Sequence, residues 1–177
     1  FDLWRPSDWP RSFVVTLLIV EEDNQDLAET LTKLEQEVGQ TVKKAAEAAA
    51  TAAAGALVGA AIGSVFEKSA GLAQANVAAS LAAREKLGST GLGQGIAIPH
   101  GRIHGLTDAL GAYARLRAPV PFDAPDGKPV QQLFVLLVPE HATDQHLQLL
   151  SELAQMFSER TFRERLMQAP DAATVAD

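Results

Sequence analysis

The chain has no cysteine. Disulfides, thiol nucleophiles and Cys-ligated zinc are thereby excluded, and the absence suits a cytoplasmic protein without requiring one. Positive charge is in short supply: 15 Lys and Arg stand against 22 Asp and Glu, for a formal net charge of −7 and a pI near 5.1. Such a chain offers no basic stripe to a phosphodiester backbone, so nucleic acid is not an expected partner. Strongly hydrophobic runs of membrane length are missing too. Residues 48–66 carry no charge and could in principle cross a bilayer, but they are mostly Ala, Gly and Thr, which are only weakly hydrophobic. That composition disfavours a membrane span. Phe13 to Val20 is apolar, yet Glu21, Glu22 and Asp23 follow it where a signal peptide would carry small cleavage-site residues. The sequence opens at Phe1 rather than Met, which reads as a fragment or a processed form, with Asp177 an artificial end.

Several chemistries are also absent. No Gly-x-Ser-x-Gly elbow and no paired acid/base carboxylates occur. The Gly91 to Gly95 stretch lacks both the Lys-Ser/Thr of a P-loop and the spacing of a dinucleotide fingerprint. The four histidines have no helical ligand spacing and no acidic partner in pattern, so neither a metal nor any other cofactor is implied.

What remains is a globular composition, 47% apolar and 21% charged over 177 residues, enough for one domain with an extension. Phe13 to Val20 reads as a buried strand, and Leu27, Leu31, Leu34 and Val38 as one stripe of an amphipathic helix. From Ala45 to Val65 the chain reads as an alanine-rich helix in which Gly55, Gly59 and Gly63 form a stripe of small residues. Such a stripe lets a second backbone approach, either within the fold or in a homo-oligomer. A helix from Asn76 to Leu87, strands at Gly111 to Leu116 and Leu133 to Val138, and a turn from Pro119 to Gly127 follow. The next helix, Asp144 to Ser158, is expected to face inward with Leu147, Leu150, Ala154 and Phe157, and a last one runs from Thr161 to about Leu166. Strands alternating with helices predict an α/β sandwich with a sheet covered on both faces.

The most informative stretch is Gly88 to His100, where four glycines and two hydroxyls lead through Ile96-Ala97-Ile98-Pro99 to one histidine. Glycine-rich backbone can present successive N–H groups to an anion. An imidazole beside such a loop points to phosphate chemistry, because its neutral form is well populated near pH 7 and can attack phosphorus. His100 is the candidate nucleophile. His146, at the start of the helix after the main strand, could donate to a phosphate or support another ring. Arg84 and Arg102 could grip phosphate oxygens, unless each pairs with a neighbour such as Glu85, and Ser89 and Thr90 could add hydroxyl donors or only cap a turn. His104 and His141 read as solvent-exposed.

Arg84-Glu85-Lys86-Leu87-Gly88-Ser89-Thr90-Gly91 and Gly95-Ile96-Ala97-Ile98-Pro99-His100-Gly101-Arg102 resemble the active-site segment of the enzyme IIA family of the phosphotransferase system. The nearest branch is the nitrogen-regulatory, PtsN-like type, beside the fructose/mannitol type. Pro121-Phe122-Asp123-Ala124, Asp126 to Val130, Leu133 to Glu140 and His146-Leu147 fit the same pattern, and the match runs from about Ala54 to Val175. The resemblance implies an α+β sandwich, a mixed β-sheet flanked by helices on both faces, in which His100 takes a phosphoryl group from a small phosphohistidine carrier of the HPr/NPr type. It implies further that His146 supports the phosphorylated ring and that Arg84 steadies the moving group. It suggests Nε2 as the acceptor, with Nδ1 held by a backbone carbonyl. Ser89, Thr90 and Arg102 are the additional phosphate-binding candidates.

By this register residues 45–177 form the IIA domain, and the Gly55/Gly59/Gly63 helix is the family's first helix packed on the sheet. Residues 1–44 find no counterpart; they are an accessory extension, or Phe13 to Val20 supplies the expected edge strand. Without a permease or IIB-like region, a cytoplasmic regulator is expected, a phosphotransferase component whose phosphorylation state is read by targets such as transporters or sensor kinases. The rivals are a non-catalytic IIA-like binding module and a membrane-tethered scaffold.

Overall fold

Leu133 to Val138 is apolar at every position because it lies in the middle strand of a sheet covered on both faces. The computed structural model describes residues 14–17, 59–142 and 144–169. In chain order the elements are β1 (Val14–Leu17), α1 (residues 59–70), α2 (Gln74–Glu85), β2 (Gly91–Gly93), β3 (Ile96–Ala97), β4 (His100–Ile103), β5 (Leu110–Val120), β6 (Val130–Pro139), α3 (Asp144–Ser158) and α4 (Arg160–Gln168). The strands make one six-stranded sheet in the order β1-β5-β6-β3-β2, with β4 also on β6. β5 and β6 are antiparallel, β1 is parallel to β5, and β3 and β4 are parallel to β6. The sheet is therefore mixed, the α+β architecture expected.

Strand alternation divides the core in two. Leu133, Val135 and Leu137 of β6 join Ile62 and Phe66 of α1 and Val77 and Leu81 of α2 on one face. Phe134, Leu136 and Val138 join Leu149, Leu153 and Phe157 of α3 and Leu166 of α4 on the other. Phe157 links the two helices of that face, with ring centroids 5.8 Å from Phe134 and 5.3 Å from Phe162. Each such side chain contributes about 1.5–3 kcal/mol on burial, so the middle strand anchors everything attached to its edges.

The inward stripe of α3 differs from expectation. Leu149, Leu153 and Phe157, spaced by four, form the buried ridge, with Leu150 and Ala154 at its flanks, while Leu147 is 60% exposed. β2, β3 and β4 had no counterpart in the sequence reading, since Gly and Pro interrupt these short segments. β5 and β6 extend beyond their apolar centres to Val120 and from Val130.

Two glycines of the small-residue stripe lie in α1. A Cβ on Gly63 would stand 2.7 Å from the carbonyl oxygen of Gln74, and one on Gly59 would meet Ala78 at 3.8 Å. The Gln74 amide donates in turn to the Ala60 carbonyl at 2.9 Å. This part of the stripe faces α2 within the chain. Val14–Leu17 pairs with β5 from Leu110 to Tyr113, so the early apolar run supplies an edge strand. The helix expected around Leu27 to Val38, Gly55 and the 44/45 boundary lie outside the described residues. No helix among the described residues is long and apolar enough to cross a membrane.

Candidate functional site

His100 opens β4 immediately after Pro99. The register against β6 runs unbroken from Ala97↔Leu133 to His100↔Leu136, but Pro99 has no N–H to give, and β3 and β4 are separated there. Around the interruption, the Ile98 N–H donates to the Thr90 carbonyl at 3.0 Å and the Leu136 N–H to the Pro99 carbonyl at 2.9 Å. The Ile98 carbonyl turns to the histidine, lying 2.9 Å from Nδ1 of His100.

The other ring nitrogen is addressed by α2. Nε–H of Arg84 donates to Nε2 of His100 at 2.9 Å, and NH1 of the same guanidinium donates to the Gly88 carbonyl at 2.9 Å. A guanidinium only donates, so Nε2 presents its lone pair. Nδ1 then carries the proton and donates it to Ile98. The two contacts define one tautomer of a half-buried imidazole.

Gly101 explains how α2 comes so close. A Cβ there would stand 2.5 Å from Oγ and 3.2 Å from Cβ of Ser80. Ser80 uses the space to donate its hydroxyl to the Arg102 carbonyl at 2.8 Å. Arg84 is one turn further along the same face of α2, so seating Ser80 on β4 brings the guanidinium to the ring.

The glycine loop, expected as an anion cradle, also serves packing within the fold. Three of its amides are taken up internally: Thr90 N–H by Glu85 Oε1 at 2.9 Å, Gly91 N–H by Ser89 Oγ at 3.0 Å, and Gln94 N–H by Asp126 Oδ2 at 2.8 Å. A Cβ on Gly91 would lie 2.9 Å from the Ala124 methyl, and one on Gly93 3.2 Å from the Asp126 carboxyl. These glycines let the Pro121–Gly127 segment back the loop. Gln94 and Gly95, with φ of 57° and 78°, form the tight turn joining β2 to β3. Two backbone N–H bonds, from Gln94 and then Lys128, hold the Asp126 carboxyl below its ordinary pKa.

The remaining candidates fall in distinct places. Ser89 donates its hydroxyl to the Phe122 carbonyl at 2.5 Å, and Thr90 to Glu85 Oε2 at 2.6 Å. Arg102 donates from NH1 to the Glu140 carbonyl at 2.7 Å. Both hydroxyl protons and this guanidinium contact are thus committed within the fold. The backbone of His146 lies in the first turn of α3, while its side chain is outside the described residues. His104 and His141 are exposed, as expected, and His104 Nδ1 lies 2.7 Å from Glu140 Oε2. That contact is the chief reason the Glu140 carboxyl titrates below its ordinary value. Glu85 and Ser80 were not singled out as site residues from sequence, and the resemblance implied a backbone carbonyl at Nδ1 without naming Ile98.

The sequence model of the EIIA 2 domain of the phosphoenolpyruvate-dependent sugar phosphotransferase system matches residues 60–177. The chain belongs to this family. A nitrogen regulatory protein of Pseudomonas aeruginosa is 57% identical over 93 residues, 52% of this chain and 60% of that protein. The crystal structure of nitrogen regulatory protein IIA-Ntr from Neisseria meningitidis superposes with a TM-score of 0.61 at 41% identity, covering 93% of this chain and 90% of that one. IIA mannitol of Escherichia coli shares the fold at a TM-score of 0.52 and 20% identity, over 64% of this chain and 79% of that one. Within the family this EIIA domain falls with the nitrogen-regulatory branch. Its matched stretch spans less than two thirds of the curated relative's length.

Chemically, this EIIA site presents a neutral imidazole with one nitrogen tied to a backbone carbonyl and the other aimed at a guanidinium. An imidazole so held is oriented for nucleophilic attack through Nε2. The guanidinium beside it matches the geometry of phosphate oxygens.

Proposed function

We propose that this EIIA domain accepts a phosphoryl group on Nε2 of His100 from a phosphohistidine carrier protein of the HPr/NPr type. Its phosphorylation state then governs docking to regulated cytoplasmic partners such as transporters or sensor kinases. The observation that carries the reading is the tautomer: Nδ1 at 2.9 Å from the Ile98 carbonyl and Nε2 at 2.9 Å from Arg84 Nε. In the transfer, the Nε2 lone pair forms the new N–P bond as the carrier's N–P bond breaks and its electron pair returns to the carrier's ring. The proton stays on Nδ1, hydrogen-bonded to the Ile98 carbonyl, which stabilises the charge that develops on the ring. Arg84 is released from Nε2 and follows the phosphoryl oxygens. Such transfer depends on positioning and charge stabilisation far more than on covalent help from the protein.

His146 is assigned the supporting role by its place in the first turn of α3 and by its match to the family pattern. Ser89 and Thr90 hold the loop through their hydroxyl protons and Arg102 donates from NH1 to the Glu140 carbonyl, and these three are the additional candidates for binding the phosphoryl group. The domain is assigned to residues 45–177, with the preceding segment contributing β1 to its sheet. A dianionic phosphoryl group on His100 would alter electrostatic complementarity with any partner that docks over it.

The test is intact mass after incubation with phosphoenolpyruvate, enzyme I and the carrier, beside a His100→Ala control. One acid-labile phosphoryl group on the wild type and none on the variant is the expected result. No addition to the wild type, with a carrier proven active, would overturn the proposal in favour of a non-catalytic binding module.

A further inference from the structure

We propose that Glu85 is a positioning residue for His100, acting on the imidazole through Thr90 and Ile98. The inference rests on the phosphoryl-acceptor reading above. It adds a residue that touches neither the ring nor any phosphate.

Arg84 and Glu85 are neighbours at the C-terminal end of α2, yet they address opposite nitrogens of one ring. Arg84 does so directly, at Nε2. Glu85 does so through a chain of hydrogen bonds. Its carboxylate accepts the Thr90 N–H at 2.9 Å and the Thr90 hydroxyl at 2.6 Å. The Thr90 carbonyl accepts the Ile98 N–H at 3.0 Å, and the Ile98 carbonyl lies 2.9 Å from Nδ1 of His100. Thr90 is only 7% exposed. Without the carboxylate its N–H and hydroxyl would both lose their partner in a buried place, which costs more than the bonds themselves contribute. The Thr90 backbone, and with it Ile98, would have to move to find water.

The same residue steadies the other support. The Glu85 carbonyl accepts the Gly88 N–H at 3.1 Å, and Gly88 reverses the chain at φ +142°. The loop between α2 and β2 is therefore tied to Glu85 at two points, Gly88 and Thr90. Between them stands the Gly88 carbonyl that receives NH1 of Arg84. Cutting the carboxylate from Thr90 loosens the Nδ1 support through Ile98 and the Nε2 support through Gly88 together. Outer partners that fix the ring of a functional histidine through its second nitrogen set its tautomer and orientation in the same way.

The test uses the full chain labelled with 15N, in wild-type, Glu85→Ala, Glu85→Gln and Thr90→Val forms. The wild-type His100 nitrogens are expected to show one tautomer, protonated at Nδ1, with a resolved Arg84 Nε–H signal. In Glu85→Ala the two ring nitrogens should converge toward a tautomer mixture, and the Arg84 Nε–H should exchange faster with solvent. Glu85→Gln keeps one acceptor oxygen and Thr90→Val keeps the backbone N–H, so both should fall between. Phosphoryl acceptance should drop by roughly 10–100-fold in the alanine form, in kcat rather than in KM for the carrier. If that form does not fold, the glutamine and valine forms carry the test. Unchanged His100 and Arg84 signals in folded variants would overturn the proposal, whatever the transfer rate. Shifted signals in a protein whose wild type takes no phosphate would uphold the positioning role and remove the phosphoryl-acceptor reading instead.

Discussion

Nε–H of Arg84 points at Nε2 of His100 across 2.9 Å, and this contact admits only an unprotonated Nε2. A protonated Nε2 would set N–H against N–H. The nitrogen proposed to attack phosphorus is therefore kept as a lone pair by the group best suited to receive the phosphoryl oxygens. Its release from the ring and its capture of the phosphate are one movement of one side chain.

Replacement of Arg84 by Lys should consequently behave almost like replacement by Ala. A lysine ammonium has no planar fork with which to bridge Nε2 and the Gly88 carbonyl. We expect both variants to lose about 10²-fold in the rate of phosphoryl acceptance. Quench-flow measurement of transfer from the phosphorylated carrier checks this. A lysine variant within a few-fold of wild type would show that charge alone suffices.

Gly101→Ala should destabilise the fold by about 1–3 kcal/mol, because the new methyl enters the space of the Ser80 hydroxyl and side chain. Pairing it with Ser80→Gly should recover part of that loss, with a coupling of about 0.5–3 kcal/mol in a double-mutant cycle by urea denaturation. The single variant should also slow phosphoryl acceptance, since α2 carries Arg84 one turn beyond Ser80. Strict additivity of the two substitutions would remove the close approach of α2 and β4 as the reason for this glycine.

The sequence disclosed the elements that rest on simple periodicity. Leu133 to Val138 announced a strand buried on both faces, and residues 144–158 a helix with matching ends. His100 stood out because a single imidazole follows a glycine-rich loop and a proline, and Arg84 because it matches the family's active-site segment. What escaped was long-range. Leu147 has the spacing of an inward residue, and only the seating of α3 shows that Leu149 and Leu153 carry that face. The glycines of the 88–95 loop suggested an anion cradle, but the same absence of Cβ serves equally for packing against Ala124 and Asp126. Glycine reports that something comes close and is silent about what. Glu85 was legible only as a neighbour of Arg84, because its partner Thr90 is set by the turn between them.

Asp126 provides a pH dependence whose sign can be worked out. Its carboxyl accepts backbone N–H groups from Gln94 and Lys128, and its folded-state pKa is lowered from 3.8. The charged form is thus favoured in the folded chain. Its stabilising effect is present above the unfolded-state pKa and is lost as pH falls through the lower folded-state value. The stability difference between wild type and Asp126→Asn should be level from neutral pH down to about 5 and shrink below about 4. Urea denaturation across pH 3–7 measures it. A difference that grows on acidification would contradict the assignment.

Gly59 and Gly63 offer a paired test of where the small-residue stripe packs. Alanine is favoured over glycine within a helix by up to about 1 kcal/mol, so space decides the sign. At Gly59 the new methyl would meet Ala78 at 3.8 Å, an ordinary contact, and Gly59→Ala should be neutral or stabilising by up to that amount. At Gly63 it would meet the Gln74 carbonyl oxygen at 2.7 Å, and a backbone atom cannot rotate away. Gly63→Ala should therefore lower stability by about 1–3 kcal/mol, because overpacking outweighs propensity. Thermal denaturation at two protein concentrations, with sedimentation to follow mass, distinguishes the cases. If the stripe joined two copies instead, Gly63→Ala would shift the oligomeric state and its effect on melting would depend on concentration. Packing of α1 on α2 within one chain predicts a loss independent of concentration, with the mass unchanged.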